Sequence, residues 1–270
     1  MAETDKVFAG SVPANYDAHV VPLIFQPYAE DLARRISAIA PRSLLETAAG
    51  SGVVTRAVAP ILPAGASYTA TDLNPAMLEV AMSRQPAEPR ISWQPVDAQS
   101  LPFADAAFDA VCCQFGAMFF PDRPGAYREA RRVLKPGGRF LFNVWDKIEA
   151  NVFAHDVTAA LAQLFPADPP RFLARTPHGY HDKGLIHADL EAAGFSRIEI
   201  ETVTRESRAD SARGPAVAYC HGTPLRGEIE SKGPGSLAIA TDAAEAALLQ
   251  KHGRGQIAAA IQAHVICAVA

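Results

Sequence analysis

Cysteine is scarce, with Cys112, Cys113, Cys220 and Cys267 the four in 270 residues, and only the first two are neighbours. Adjacent residues of a strand point to opposite faces and no C-x-x-C spacing occurs, so neither a zinc site nor a disulfide framework is implied. The thiols are expected to be reduced core residues of a cytoplasmic protein. Basic runs are missing too: none exceeds Arg131-Arg132, and the formal net charge is −4. Binding a phosphate backbone calls for a basic stripe, so a nucleic-acid partner is not expected. No segment reaches the roughly 18 uncharged apolar residues of a membrane span. Residues Met1 to Gly10 mix acids with Lys6 and have no cationic start before an apolar stretch, which argues against a secretory leader. Internal repeats and low-complexity linkers are likewise absent.

What is present is an ordinary globular composition, 49% hydrophobic and 20% charged, enough to build a sizeable core. The length fits a single α/β domain spanning 1–270. Its expected parts are a core at about 41–146, an N-terminal helical cover at about 12–40, and lid segments at about 147–195 and 207–256. Apolar residues from Val20 to Ile39 recur at helical spacing, predicting one or two helices interrupted at Pro22 and Pro27. Short apolar runs then predict strands near 43–46, 67–71, 91–95, 108–113 and 139–145, separated by helices near 52–60, 75–84 and 122–134. The last of these helices should stop at Lys135-Pro136-Gly137-Gly138. Helices near 150–165 and 182–194, a strand near 197–204, an Ala-rich helical stretch at 209–256 broken at 222–224 and 233–235, and a closing strand at 263–269 complete the chain. Such alternation predicts a doubly wound, mostly parallel sheet of seven strands, with N-terminal helices and a helical lid.

The first βα turn reads Glu46-Thr47-Ala48-Ala49-Gly50-Ser51-Gly52. A strand running into Gly-x-Gly at a helix start exposes backbone N–H groups and lets a ligand approach the main chain. Asp72, 20 residues past Gly52 at the end of the second strand, can accept hydrogen bonds from both hydroxyls of a ribose. Asp97, followed by Ala98, ends the third strand and its loop, where a carboxylate can accept from an adenine amine while the next N–H donates to a ring nitrogen. Three strand ends would then hold one nucleoside. A nicotinamide cofactor is the rival reading, but position 55 carries threonine where the dinucleotide pattern needs its third glycine.

This set resembles the class I S-adenosylmethionine (SAM)-dependent methyltransferases, particularly the small-molecule group that includes ubiquinone and menaquinone biosynthesis enzymes. The resemblance covers about residues 12–146. It is carried by Glu46-x-Ala48-x-Gly50-x-Gly52, Asp72-Leu73-Asn74-Pro75-x-Met77-Leu78, Asp97-Ala98, Phe108-Asp109 and Arg132-Val133-Leu134-Lys135-Pro136-Gly137-Gly138. It implies a Rossmann-like fold, SAM as cofactor, and methyl transfer to a small molecule by in-line displacement without a metal. It also implies that Glu46 and the backbone through Gly52 lie beside the methionine moiety, that Asp72 takes the ribose diol, and that Asp97 with Ala98 reads adenine. Met77 or Leu73 would pack on the adenine face, and Gln114 to Phe119 would border the sulfonium and the acceptor. Ala48 departs from the glycine often found there, which is acceptable if that residue keeps φ < 0.

Other residues read more plainly. Asp109, at the start of a buried strand, is expected to be structural. Asp168-Pro169-Pro170-Arg171 is read as a loop, since it follows the fifth strand and lacks the stacking Tyr of amino-methylating nucleic-acid enzymes. Histidines 155, 178, 181, 187 and 221 lie in the lid half, where one could serve as a base near neutral pH. His221 is the named candidate, in the stretch 216–225 that with Tyr16 and Tyr180 would roof an acceptor pocket; Tyr16 is the second candidate catalytic group. Aromatic groups at 16, 119, 120, 145 and 180 suit an apolar or aromatic acceptor. A nucleoside-binding protein without transferase activity is the alternative from a different functional class.

Overall fold

The computed structural model describes residues 10–270. Among them, seven strands form one sheet: β1 Ser43–Glu46, β2 Ser67–Asp72, β3 Ile91–Pro95, β4 Phe108–Gln114, β5 Leu134–Trp145, β6 Arg197–Ala209 and β7 Ile257–Val269. Their order is β3-β2-β1-β4-β5-β7-β6. Strands β1 to β5 pair in parallel, with Leu45 opposite Thr69 on one side and Val111 on the other. By contrast β7 runs antiparallel to β5, since Asp146 N–H donates to Gln262 O while Ala270 N–H donates to Gly138 O. Strand order reverses at β1, and the carboxyl ends of β1 and β4 therefore flank the crevice in which ligands bind in open α/β sheets.

The helices are α1 Val12–Asn15, α2 Gln26–Ile39, α3 Val53–Val58, α4 Pro75–Arg84, α5 Arg123–Val133, α6 Val152–Leu164, α7 Phe172–Arg175, α8 Lys183–Ala192, α9 Arg213–His221, α10 Leu225–Glu230 and α11 Ser236–His252. Two expectations are corrected. The helix expected to break at Pro22 and Pro27 instead changes winding, because a π-helical stretch, Tyr16–Phe25, joins α1 to α2. The wide turn relieves the clash a proline ring makes with the carbonyl four residues back, and the Leu23 carbonyl that Pro27, lacking an N–H, leaves free accepts from Ser207 Oγ at 2.8 Å. Lys135–Gly138 ends α5 as expected but belongs to β5: Phe108 pairs with Leu134 and Ala110 with Arg139, so the glycines form a bulge whose backbone bonds Ala270.

The chain divides into two compact units. The sheet unit comprises Pro27–Val144, His181–Val203 and Ala263–Ala270. Its core includes Tyr127, Phe140, Phe142 and Phe195, with Phe140 stacked on Phe142 at 4.7 Å between ring centroids. At the amino end of β1, Asp109 accepts from the Arg42 and Ser43 N–H groups and from Ser43 Oγ, and pairs with Lys135 Nζ at 2.7 Å. Partial burial opposes ionisation of Asp109, but those donors hold it down at about 2. Two of the recurring motifs, Phe108-Asp109 and the Lys135 turn, thus tie strand starts together, at the opposite end of the strands from the crevice.

The helical unit comprises residues 10–26, Trp145–Tyr180 and Thr204–Gln262. Buried Asp156 on α6 clamps α11 through Lys251 Nζ and His252 Nε2, at 2.5 and 2.8 Å. Rings of Tyr16, Phe25, Trp145 and His178 follow one another at 5.2, 5.8 and 6.0 Å. Among the described residues no helix is long and apolar enough to cross a membrane.

Candidate functional site

The residues singled out around the first βα turn all belong to the sheet unit, and the main chain explains how they are positioned. Leaving β1, Thr47 N–H donates to Cys112 O of β4, whereas Ala49 N–H donates to Thr71 O of β2. Switching from one neighbouring strand to the other within two residues forces the intervening Ala48 into the left-handed region, at φ +53°. The condition φ < 0 placed on this alanine is therefore not met. The Ala48 methyl has room there because Gly116 lies opposite: a Cβ on Gly116 would stand 2.4 Å from that of Ala48. Phe115, at the end of β4, is also left-handed at φ +51°, with its N–H held by Asn143 Oδ1 and Asn143 O. Non-glycine residues persist in this region only where their surroundings over-determine them, and such residues cluster at functional sites.

Gly50 and Gly52 follow at φ +57° and +80°. The second glycine is also required sterically, since a Cβ there would meet Ala81 Cβ of α4 at 2.9 Å. Between them Ser51 is 1% exposed, and its Oγ has no hydrogen-bond partner among the described residues.

Asp72 joins this loop to the next helix. Its Oδ2 accepts from Gly50 N–H and its Oδ1 from Asn74 N–H, both at 2.8 Å. Asn74 in turn caps α4 through Ala76 N–H, with Pro75 at the first helical position. Each carboxylate oxygen keeps a further lone pair beyond the amide it holds. Burial raises the pKa of Asp72, opposed by the Asn74 and Gly50 amides. Leu73, the next residue, is 58% exposed, whereas Met77 is buried with its Cε beneath Gly50. Asp97 is half-buried and accepts from Gln99 N–H at 2.9 Å in a tight side-chain turn, and Ala98 beside it is half-buried.

Glu46 is 1% exposed. Its Oε2 receives both Thr55 Oγ1 and Tyr68 OH at 2.5 Å. Burial pushes its pKa up to about 7 even though both hydroxyls favour the ionised form; the charge of Asp72 adds to the rise and that of Arg56 opposes it. Tyr68, Thr55 and Ser51 were not assigned a role from sequence, and Gly116 entered only within the span Gln114 to Phe119. The signal for Tyr68 is that it shares the parity of Asp72 on β2, placing its hydroxyl on the same strand face as that carboxylate. At the end of β4, Gln114 is buried against Asn143 and Phe119 is half-buried.

The two candidate catalytic residues, Tyr16 and His221, belong to the helical unit, as does Tyr180. His221 ends α9 and its Nε2 lies 2.9 Å from Thr241 Oγ1 on α11. Since the Thr241 hydroxyl proton goes to Leu237 O, Nε2 must carry the proton and Nδ1 the lone pair. Burial, then Arg226 and Arg213, lower the pKa of His221. Tyr16 is half-buried and Tyr180 fully buried.

A methyltransferase-domain family model matches residues 45–142, the stretch that carries Glu46, the glycine loop, Asp72 and Asp97. A ubiquinone/menaquinone biosynthesis C-methyltransferase from a Bradyrhizobium strain is 32% identical over 177 residues, covering 61% of this chain and 70% of that protein. Among solved structures, the YcgJ protein of Bacillus subtilis superposes with a TM-score of 0.59 at 20% identity, over 90% of this chain and 98% of that one. Phosphoethanolamine N-methyltransferase 2 of Haemonchus contortus, solved with S-adenosyl-L-methionine, gives 0.51 at 19% identity over 84% of this chain and 48% of that one.

Proposed function

We infer the roles of individual residues from one premise: the chain belongs to the class I SAM-dependent methyltransferases and transfers a methyl group from SAM to a small molecule. SAM, when bound, supplies an activated methyl on its sulfonium, so the protein's task is alignment and exclusion of water. Orientation alone is worth on the order of 7–11 kcal/mol in favourable cases.

The residues present fit that cofactor. A Cβ added to Gly50 would meet only Met77 Cε, at 3.6 Å, so this glycine leaves a backbone surface that a ligand can approach, and the orphan hydroxyl of Ser51 is part of the same loop. The carrying observation is the Asp72 carboxylate, which holds Gly50 and Asn74 with one lone pair each and keeps the others for the ribose diol. Glu46 and the backbone through Ala48, Gly50 and Gly52 would hold the methionine end. Asp97 and the Ala98 amide would read adenine. Exposed Leu73 would cover an adenine face while Met77 supports the loop from below, and Gln114 and Phe119 would border the sulfonium.

The acceptor is apolar or aromatic in this reading, supported by the aromatic content around residues 16, 119, 120, 145 and 180 and by the biosynthetic role in the relative's name. Tyr16 and His221 are the candidate groups on the acceptor side, with Nδ1 the basic nitrogen of His221. A cytoplasmic location and the absence of a nucleic-acid partner belong to the same proposal. Four free thiols and a net charge of −4 support it.

The test pairs thermal shift with mass spectrometry. A ligand at about 100 times its Kd adds roughly 2.7 kcal/mol of stability, so S-adenosylhomocysteine (SAH) should raise Tm and NAD should not. Incubation with SAM and a metabolite extract should then yield a product heavier by one methylene in the apolar fraction. Stabilisation by NAD alone, or methylation confined to highly charged acceptors, would refute the respective half of the proposal.

A further inference from the structure

Glu46 is the one buried carboxylate of the sheet unit whose two oxygens are treated unequally. Thr55 on α3 and Tyr68 on β2 both place their hydroxyls on Oε2 at 2.5 Å, and no described residue donates to Oε1. Each hydroxyl has a single proton, so both are committed to the same oxygen, and the carboxylate cannot turn without breaking two hydrogen bonds. A side chain this deeply buried, with one oxygen pinned and the other unpartnered, is set to receive a donor from outside the protein.

We propose that Tyr68 and Thr55 are positioning residues for the cofactor: by pinning Glu46 Oε2 they present Oε1 to the α-ammonium at the methionine end of SAM. This rests on the assignment of Glu46 to that end of the cofactor, made above. The ionised carboxylate is the form that binds a cation, and the groups facing it decide how readily it forms. They are Thr55 and Arg56 from α3, Tyr68 and Asp72 from β2, and Cys112 and Cys113 from β4. Burial and Asp72 disfavour the charge, and the two hydroxyls and Arg56 favour it, leaving Glu46 to titrate near neutrality. Removing the Tyr68 hydroxyl therefore has two effects, losing the fixed geometry and moving ionisation to higher pH.

The experiment compares two probes by calorimetry. SAH carries the α-ammonium, whereas 5′-methylthioadenosine retains the adenosine and lacks the amino-acid end. Wild-type affinity for SAH should rise between about pH 6 and 8 while that for methylthioadenosine stays flat. Tyr68→Phe should weaken SAH on the order of tenfold at neutral pH, shift its pH rise upward, and leave methylthioadenosine within about twofold. Thr55→Val should act in the same direction and Thr55→Ser should restore the wild-type profile. Equal weakening of both probes would show that the hydroxyls merely hold the loop together, and unchanged SAH binding would show that they do nothing for the cofactor. Either result overturns the positioning role while methylthioadenosine binding to the wild-type protein still upholds the site. Failure of both probes to bind the wild type would instead overturn the site assignment itself.

Discussion

The contact between Ala48 and Gly116 makes the strain in the first βα turn measurable. Gly116 has φ −98° and ψ −35°, so its backbone accepts alanine without penalty. A Cβ there, however, would stand 2.4 Å from Ala48 Cβ and 2.8 Å from Cys113 Sγ, both closer than real contacts allow. Overpacking of this kind costs about 1–3 kcal/mol, so Gly116→Ala should lower Tm by several degrees. Ala48→Gly works the other way. It relieves a left-handed conformation costing roughly 1–2 kcal/mol in alanine and returns about 0.4–1 kcal/mol through the looser unfolded chain. That substitution should be neutral or stabilising by up to about 1.6 kcal/mol. In the double variant the shorter contact is gone and only the Cys113 thiol must move, so the two changes should couple favourably by at least ~1 kcal/mol. Urea unfolding of the four proteins of the cycle measures this. Additivity within about 0.5 kcal/mol would refute the reasoning, because it would mean that the two Cβ positions do not compete for the same space.

Two further outcomes follow from the carboxylates. Asp72→Ala should weaken SAH at least tenfold in a protein that still folds, because charge-assisted hydrogen bonds contribute about 1.5–3 kcal/mol each, whereas Asp109→Ala should lower stability and leave SAH affinity unchanged by calorimetry. Glu46 titrates near 7 in the folded state against 4.5 for the free side chain, so the folded protein holds its proton more tightly in that interval. Stability of the ligand-free protein should therefore fall by up to about 3 kcal/mol as pH rises from about 4.5 to 7 and then level off, a slope that Glu46→Gln should remove in denaturant titrations at successive pH values.

Much of the fold was legible because its determinants are local. Strand and helix periods, Asn74-Pro75 opening α4 and the acids at strand ends are written within a few residues of where they act. Gly50, Gly52 and Asp72 were named from their spacing and Glu46 from the family resemblance, and the structure links two of them through the Gly50–Asp72 hydrogen bond. The winding of residues 16–25 was not legible, since proline rules describe α-helices and a π turn changes what the ring meets. Nor was the place of β7 between β5 and β6, which depends on pairing across more than a hundred residues.

The sequence by itself determined the order of strands and helices along the chain, the glycines of the first turn and the acids at the strand ends, because each depends on neighbours a few bonds away. Only the tertiary structure decided that Ala48 is left-handed, since its neighbours Thr47 and Ala49 bond strands on opposite sides of β1. It alone decided that Thr55 and Tyr68, 9 and 22 residues from Glu46, converge on one oxygen of that carboxylate. Burial and strand register set those contacts, and both are properties of the assembled sheet rather than of any segment of the chain.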